Sequence, residues 1–263
     1  LNNVDAVYII SNPLYHYEQI KKALTRHKHV LCESPIALNV QQLEELRALA
    51  KQNHCILTDA LRTAHSTAYH RMLLLIKGGI LGDVVSIETA CTSLLNIDDE
   101  RTGDSAKNWN SICSWGPTAL LPIFQLLGEQ YQEKRIASRI INSKSHFDSF
   151  TQVSFVYPHS VASIKVGIGA KSEGQMVISG TKAYILVPAP WWKTDYFEVR
   201  YENPQNDRRF FYQLDGEGIR AEILHFIKMI QGYDFVPAID GNVSTGIVKV
   251  IEDFYNQKDF IEI

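Results

Sequence analysis

The strongest constraint on this chain is a short β-α-β-α-β order near its start. Ala6-Val7-Tyr8-Ile9-Ile10 is an unbroken apolar run, which suits a strand buried on both faces of a parallel sheet. Ser11-Asn12-Pro13 breaks it. A helix is predicted from about Tyr15 to Arg26, with Ile20, Ala23 and Leu24 on one face. His29-Val30-Leu31-Cys32 reads as a second strand, stopped by Pro35. Asn39 can cap a helix running from Val40 to about Gln52, whose Leu43, Leu46 and Ala50 form an apolar stripe. Cys55-Ile56-Leu57-Thr58 is a third strand. Strands separated by helices in this way pair in parallel through right-handed crossovers.

The pattern then changes. A helix over Thr67–Lys77 should end at Gly78-Gly79, and a strand should cover Val84 to Thr92. Asp98 to Ser114 is polar and reads as a loop. Pro117 to Leu127 reads as an apolar helix with Pro117 in its first turn. Seven strands are expected next: Ile136–Ile141, Phe150–Tyr157, Val161–Ile168, Gln175–Ser179, Ala183–Val187, Tyr196–Tyr201 and Arg208–Leu214. Helices over Ile219–Gln231 and Val243–Tyr255 close the chain. Strands followed by helices predict an α+β unit whose helices cover one sheet face. The expected fold class is therefore a partial α/β Rossmann unit of parallel strands over residues 1–65. An α+β domain with a large, mostly antiparallel sheet should follow over residues 66–263.

Composition narrows function by exclusion. Lys and Arg number 26 against 29 Asp and Glu, a net charge of −3, so a nucleic-acid partner is not expected. No apolar run approaches the roughly 18 residues that cross a bilayer, and no leader-type segment is visible, so a cytoplasmic protein without a membrane partner is expected. Cys32, Cys55, Cys91 and Cys113 are far apart and read as separate thiols. His65 and His70 have no third ligand at metal spacing, so no metal is assigned. The chain opens with Leu1-Asn2-Asn3-Val4 rather than Met and enters a core-type strand at once, so it is expected to be part of something longer.

Five motifs stand in a recognisable order. Ser11-Asn12-Pro13-Leu14-Tyr15-His16-Tyr17-Glu18-Gln19 resembles S/T-P-N-x-x-H-x-E-Q. Val30-Leu31-Cys32-Glu33-Ser34-Pro35 resembles a strand ending in Glu-Lys-Pro. Gly79-Ile80-Leu81-Gly82-Asp83-Val84, Ile178-Ser179-Gly180-Thr181-Lys182-Ala183 and Gly216-Glu217-Gly218 complete the series. Together they resemble the glucose–fructose oxidoreductase/inositol dehydrogenase (Gfo/Idh/MocA) family. The resemblance implies a Rossmann half that binds NAD or NADP. It also implies a large sheet that supplies a site for a sugar, polyol or nucleotide-linked sugar and a face for homo-oligomerisation.

By resemblance, Ser11, Asn12, Pro13, His16, Glu33, Ser34 and Pro35 stand on the cofactor side. Ser34 replaces the family lysine. The D-x-G-x-H stretch falls at Ser114-Trp115-Gly116-Pro117-Thr118, where only the glycine matches. Neither Ser34 nor Thr118 carries a proton near neutral pH, and losing one proton-transfer group costs about 10²–10⁴ in rate. No G-x-G-x-x-G turn is present to approach a pyrophosphate, and Gly167-x-Gly169 lies between strands of the wrong region. By resemblance, the part carrying the first three strands is missing, which leaves Val7–Ile10 as an apolar edge for another segment or chain to cover.

On the substrate side, Arg62 follows the third strand, where open α/β sheets bind ligands; the alternative is a surface ion pair. Trp191, Trp192 and Lys193 could meet a sugar face and an anion, or the tryptophans could plug a sheet edge. Arg208-Arg209 reads as a solvated turn. The first functional reading is a weak or inactive oxidoreductase-family chain. The alternative is a non-catalytic dimerisation or scaffold domain of a larger, possibly bifunctional, polysaccharide-synthesis protein.

Overall fold

A computed structural model describes residues 3–94, 110–143, 146–213, 216–233 and 237–263. Strands β1 (Ala6–Ile9), β2 (His29–Glu33) and β3 (Leu57–Ala60) form one all-parallel sheet in that order. Val7 lies opposite Val30, and Val30 opposite Leu57. This register puts Ile9, Val30 and Cys32 on one face, against helices α1 (His16–Leu24) and α2 (Val40–Gln52). Those helices bury the predicted stripes, Ile20, Ala23 and Leu24 on α1 and Leu43, Leu46 and Ala50 on α2. Each fully buried Leu or Ile there contributes roughly 1.5–3 kcal/mol. Asn39 caps α2 by accepting from Gln42 N at 2.8 Å. β1 is an edge strand, with Tyr8 and Ile10 exposed beside it.

Helix α3 (Thr67–Lys77) leads into the second sheet. Its nine strands are ordered β11-β10-β9-β8-β4-β7-β6-β5-β12. They are β4 (Val84–Thr92), β5 (Glu133–Asn142), β6 (Phe147–Val156), β7 (Val161–Gly167), β8 (Met176–Gly180), β9 (Ala183–Val187), β10 (Tyr196–Tyr201), β11 (Arg208–Phe211) and β12 (Phe260–Glu262). Only β4–β7 and β5–β12 pair in parallel; the remaining pairs are antiparallel. Alternation along β6 and β7 buries one face, which carries helix α4 (Ser111–Leu127).

Three details correct the sequence reading. Helix α4 starts at Ser111, not at Pro117. Asn110 Oδ1 accepts from Cys113 N at 3.2 Å, and buried Asp148 Oδ1 accepts from Ile112 N at 3.3 Å. These acceptors satisfy first-turn N–H groups and outweigh the preference of proline for a helix start. Residues 111–114 of the expected loop are therefore helical; its residues 98–109, like Leu214 of the last expected long strand, lie outside the described residues. The second correction is β12, which pairs with β5 but is too short and too exposed to leave a periodic signal.

The third concerns the closing helices. α5 (Ile219–Ile230) covers the small sheet, with Phe226 against Leu31 and Ala60. α6 (Gly241–Tyr255) lies on α4, where Gly246 lets the helices approach so closely that a Cβ would sit 3.0 Å from the Phe124 ring. It also reaches α2: Arg47 donates to Thr245 Oγ1 at 2.7 Å and to the Gly241 carbonyl at 2.6 Å. The C-terminal segment thus packs on both sheets instead of lying on the large one alone.

Among the described residues no helix is long and apolar enough to cross a membrane, and no group of three His, Cys, Asp or Glu is placed to hold a metal ion. All four cysteines are buried free thiols.

Candidate functional site

The C-terminal ends of β2 and β3 open into a cleft of about 260 Å³ whose other walls come from α4 and from the turn after β9. Glu33 and Ser34 end β2, while Leu61, Arg62 and Thr63 follow β3. Ser114, Trp115 and Thr118 face them from the first turns of α4, at spacings that share one helical face. Trp192 and Lys193 close the cleft from a one-turn 3-10 helix, with Glu217 at its rim.

Each part is held by identifiable bonds. Thr63 Oγ1 donates to the Trp192 carbonyl at 3.0 Å, tying the turn after β3 to the tryptophan segment. The Trp115 and Trp192 rings tilt toward each other at 4.9 Å between centroids. Gly218 caps α5 with φ of 87°, and a Cβ there would lie 2.5 Å from the Arg62 carbonyl. Only glycine lets α5 begin so close to that turn.

The two cations at the cleft are both engaged. Arg62 Nη2 lies 3.5 Å from Glu33 Oε1, and Lys193 Nζ lies 2.8 Å from Glu217 Oε1. Tyr8 also donates to Glu33, at 2.6 Å. Burial, and then this bond to a carboxylate, push the Tyr8 hydroxyl far above its usual range. Arg62 and Lys193 are close to half exposed, so a ligand anion could exchange with their present carboxylate partners.

Behind the cleft lie two buried acids. Asp59 accepts a short bond from the Ser244 hydroxyl, and burial raises its pKa. Glu222 on α5 is 1% exposed, and neither carboxyl oxygen has a hydrogen-bond partner. Burial, and next the negative charge of Glu33, push its pKa up to about 8, with Arg62 acting in the opposite direction.

Other sequence candidates sit elsewhere. His16 is fully buried, its Nδ1 2.9 Å from the Pro35 carbonyl and its Nε2 2.8 Å from the Ser11 carbonyl. It clamps the loops after β1 and β2 together and presents no free ring nitrogen. Asn12 Oδ1 accepts from Leu14 N, capping the turn that begins at Pro13, and Ser11 donates to Gln19. Trp191 does not reach the cleft. It is fully buried, donates from Nε1 to the Ala90 carbonyl at 3.2 Å and packs near Tyr69. Trp115, Tyr8 and Glu222 were not singled out from sequence. Trp115 would have emerged from the 114/115/118 spacing had the start of α4 been read at its Asn cap.

The profile of an oxidoreductase family with an NAD-binding Rossmann fold matches residues 1–60. A trans-1,2-dihydrobenzene-1,2-diol dehydrogenase from Bos taurus is 25% identical over 235 residues, covering 87% of this chain and 70% of the relative. Residues 1–60 thus match the Gfo/Idh/MocA oxidoreductase family, and the longer stretch resembles a dehydrogenase.

A scyllo-inositol 2-dehydrogenase (NADP(+)) from Bacillus subtilis strain 168 is 44% identical over 59 residues, or 22% of this chain and 18% of that protein. The fold matches a 3-ketoreductase from Actinomadura kijaniata, solved in complex with NADP and TDP-benzene. Its TM-score is 0.84 at 15% identity, over 100% of this chain and 80% of that one. The three-strand parallel sheet and nine-strand mixed sheet are thus the fold of that 3-ketoreductase.

The family implies a nicotinamide dinucleotide, and the residues here fit only one end of it. Glu33, Ser34 and Pro35 stand where an open parallel sheet takes a ligand at its strand C-termini. A pyrophosphate needs a glycine-rich turn at a helix N-terminus, and these 263 residues contain no G-x-G-x-x-G. The polar groups of Ser11, Asn12 and Glu33 are already engaged within the chain. A whole dinucleotide does not fit this residue set, so no hydride step is derived through it.

Proposed function

We propose that this chain provides the substrate-side cleft of a Gfo/Idh/MocA oxidoreductase, that the cleft accepts a sugar or nucleotide-linked sugar, and that the chain by itself transfers little or no hydride. The observation that carries this reading is the convergence of Glu33, Ser34, Arg62, Trp115, Thr118, Trp192 and Lys193 on one cleft. Trp192 and Trp115 supply apolar ring surface for a sugar face. Arg62 and Lys193 supply exchangeable cations for a phosphate or carboxylate. The NADP and TDP-benzene carried by the Actinomadura neighbour support a nucleotide-linked sugar and NADP as the first ligands to try.

The chemistry is weak for a stated reason. A sugar hydroxyl loses a proton as its hydride leaves, so the site needs a base. Ser34 and Thr118 cannot hold a proton in the working range, Glu33 and Glu217 are held in ion pairs with Arg62 and Lys193, and the buried Glu222 is not among the residues lining the cleft. Residues 1–65 act in this reading as the cofactor-side unit and 66–263 as the substrate and self-association unit.

A second reading, a non-catalytic dimerisation or scaffold domain, is favoured by the outer face of the large sheet. There Val156 and Val161 are exposed on the adjacent strands β6 and β7, and Tyr184 and Phe211 are exposed further along, on β9 and β11. Calorimetry of this chain with NADH, NADPH and a TDP-hexose separates the two, together with sedimentation. The first reading expects TDP-hexose binding that Trp192→Ala weakens, with dinucleotides binding poorly and no turnover. Turnover with NADPH would reject the claim of inactivity. A stable dimer that binds no ligand would replace the first reading by the second.

A further inference from the structure

The turn Arg62–His65 is shared by the sugar cleft and by α5. Its first residue lines the cleft, and the Arg62 carbonyl meets Gly218 at the start of α5. Glu222 lies one helical turn further along α5, on the side that Gly218 presents to that carbonyl. It is sealed from solvent at 1% exposure, and neither carboxyl oxygen has a hydrogen-bond partner.

Charges from neighbouring elements meet around this acid. Tyr8 of β1 donates to Glu33 Oε1 at the end of β2, at 2.6 Å, and Arg62 Nη2 reaches the same oxygen at 3.5 Å. Burial, and next the charge of Glu33, raise the pKa of Glu222 to about 8; Arg62 lowers it, and Asp59 of β3 raises it further. Tyr8 responds to the same groups: after burial and its bond to Glu33, the charge of Glu222 raises its pKa and Arg62 lowers it. His65 and His225 border a small cavity with Glu222 and Asp59, and burial favours the neutral form of both rings. Asp59 accepts from Ser244 of α6. Arg62 is thus the cation among the charges that act on Glu222.

The hold of Glu33 on Arg62 is weak. The pair is 3.5 Å long and the Arg62 side chain is 44% exposed, so water screens it. When Arg62 leaves, Glu33 keeps its bond from Tyr8 and stays partly open to water. A buried carboxylate that ionises without a partner is penalised far more heavily. Once Glu222 loses its proton, the balance favours Arg62 turning inward on its long stem, away from the cleft.

We propose that Glu222 competes with Glu33 and with a ligand anion for Arg62, so that ionisation of Glu222 draws Arg62 out of the sugar cleft and weakens anion binding there. Glu222 is a positioning residue: it touches no ligand, and no covalent bond forms or breaks. This regulation rests on the reading of that cleft as a site for a nucleotide-linked sugar. Protonated Glu222 leaves Arg62 to the ligand, so binding is strongest below about pH 8 and is lost as pH rises through it.

TDP-hexose is titrated calorimetrically into the full chain between about pH 7 and 9. Its affinity should fall about tenfold over that range in the wild type and stay level in Glu222→Gln, which cannot ionise. A pH dependence that persists unchanged in the variant belongs to another group and overturns the proposal. The Arg62 Cζ NMR signal, assigned by its loss in Arg62→Lys, is a second readout that needs no ligand. It should move with a midpoint near pH 8 in the wild type and stay still in Glu222→Gln. Glu33→Gln should lower that midpoint, because the like charge and the competing partner are both gone. An Arg62 signal that stays fixed across the range in the wild type would overturn the proposal even where TDP-hexose binds. If TDP-hexose binds at no pH while the Arg62 signal moves as expected, the sugar reading fails and the competition for Arg62 stands.

Discussion

The large and small sheets treat buried charge in opposite ways. In the large sheet, Lys134 on β5 has a side chain only 1% exposed, yet it is doubly paired. Asp253 of α6 and Asp259 before β12 each place an oxygen 2.9 Å from its Nζ. Asp148, toward the other end of the β5–β6 pair, is fully buried and accepts from Ile112 N and the Thr151 hydroxyl. Behind the small sheet, Glu222 is just as buried but has no hydrogen-bond partner, and Asp59 and Glu33 add like charge. Satisfied charges fasten elements together, whereas unsatisfied ones store free energy that helps packing least. The unsatisfied group borders a small cavity beside α5; the satisfied ones lie among helices and strands of the scaffold.

This contrast can be tested in order of effect. Lys134→Met removes the close cation from both Asp253 and Asp259 and leaves only the long Lys258–Asp253 pair, at 3.8 Å. It should cost about 3–5 kcal/mol, read from urea unfolding; a loss below about 1 kcal/mol would mean that the triad fastens nothing.

Glu222→Gln should act in the opposite direction. The folded-state pKa is raised from 4.5 to about 8. The contribution of the protonated acid is therefore complete below about pH 4.5 and is lost as pH rises toward 8. The variant should remove that decline and gain ~2–4 kcal/mol at pH 8 relative to pH 5. Parallel pH profiles of wild type and variant would show instead that Glu222 is solvated.

Smaller effects sharpen the role of the shared turn. Gly218→Ala brings a Cβ against the Arg62 carbonyl at a left-handed φ and should cost about 1–3 kcal/mol. It should weaken ligand binding in the sugar cleft along with stability. Arg62→Ala, which removes one long, half-exposed ion pair, should change stability by less than about 1 kcal/mol. It should still lower affinity for a TDP-hexose about tenfold in calorimetry, separating a binding residue from a fastening one.

Legibility followed locality. The stripes of α1 and α2 and the Asn39 cap are periodic or adjacent in sequence, so they could be read directly. The beginning of α4 could not, because its first N–H groups are satisfied partly by Asp148, 36 residues away. Trp191 and Trp192 are chemically identical neighbours, yet one is sealed in the core and the other faces the cleft. That choice is made by the 3-10 turn and by the Ala90 carbonyl waiting for an indole N–H. Glu222 reads in sequence as an ordinary first-turn acid suited to a helix N-terminus. Its burial appears only once α5 lies across the small sheet.

The sequence by itself determined the parallel opening unit and the mixed sheet that follows it. Each of these depends on residue type and short-range period. Tertiary structure decided which polar groups are left unsatisfied, which tryptophan lines the cleft, and that the turn after β3 meets the start of α5. Those outcomes depend on groups distant along the chain competing for the same buried space, and no local pattern records who wins.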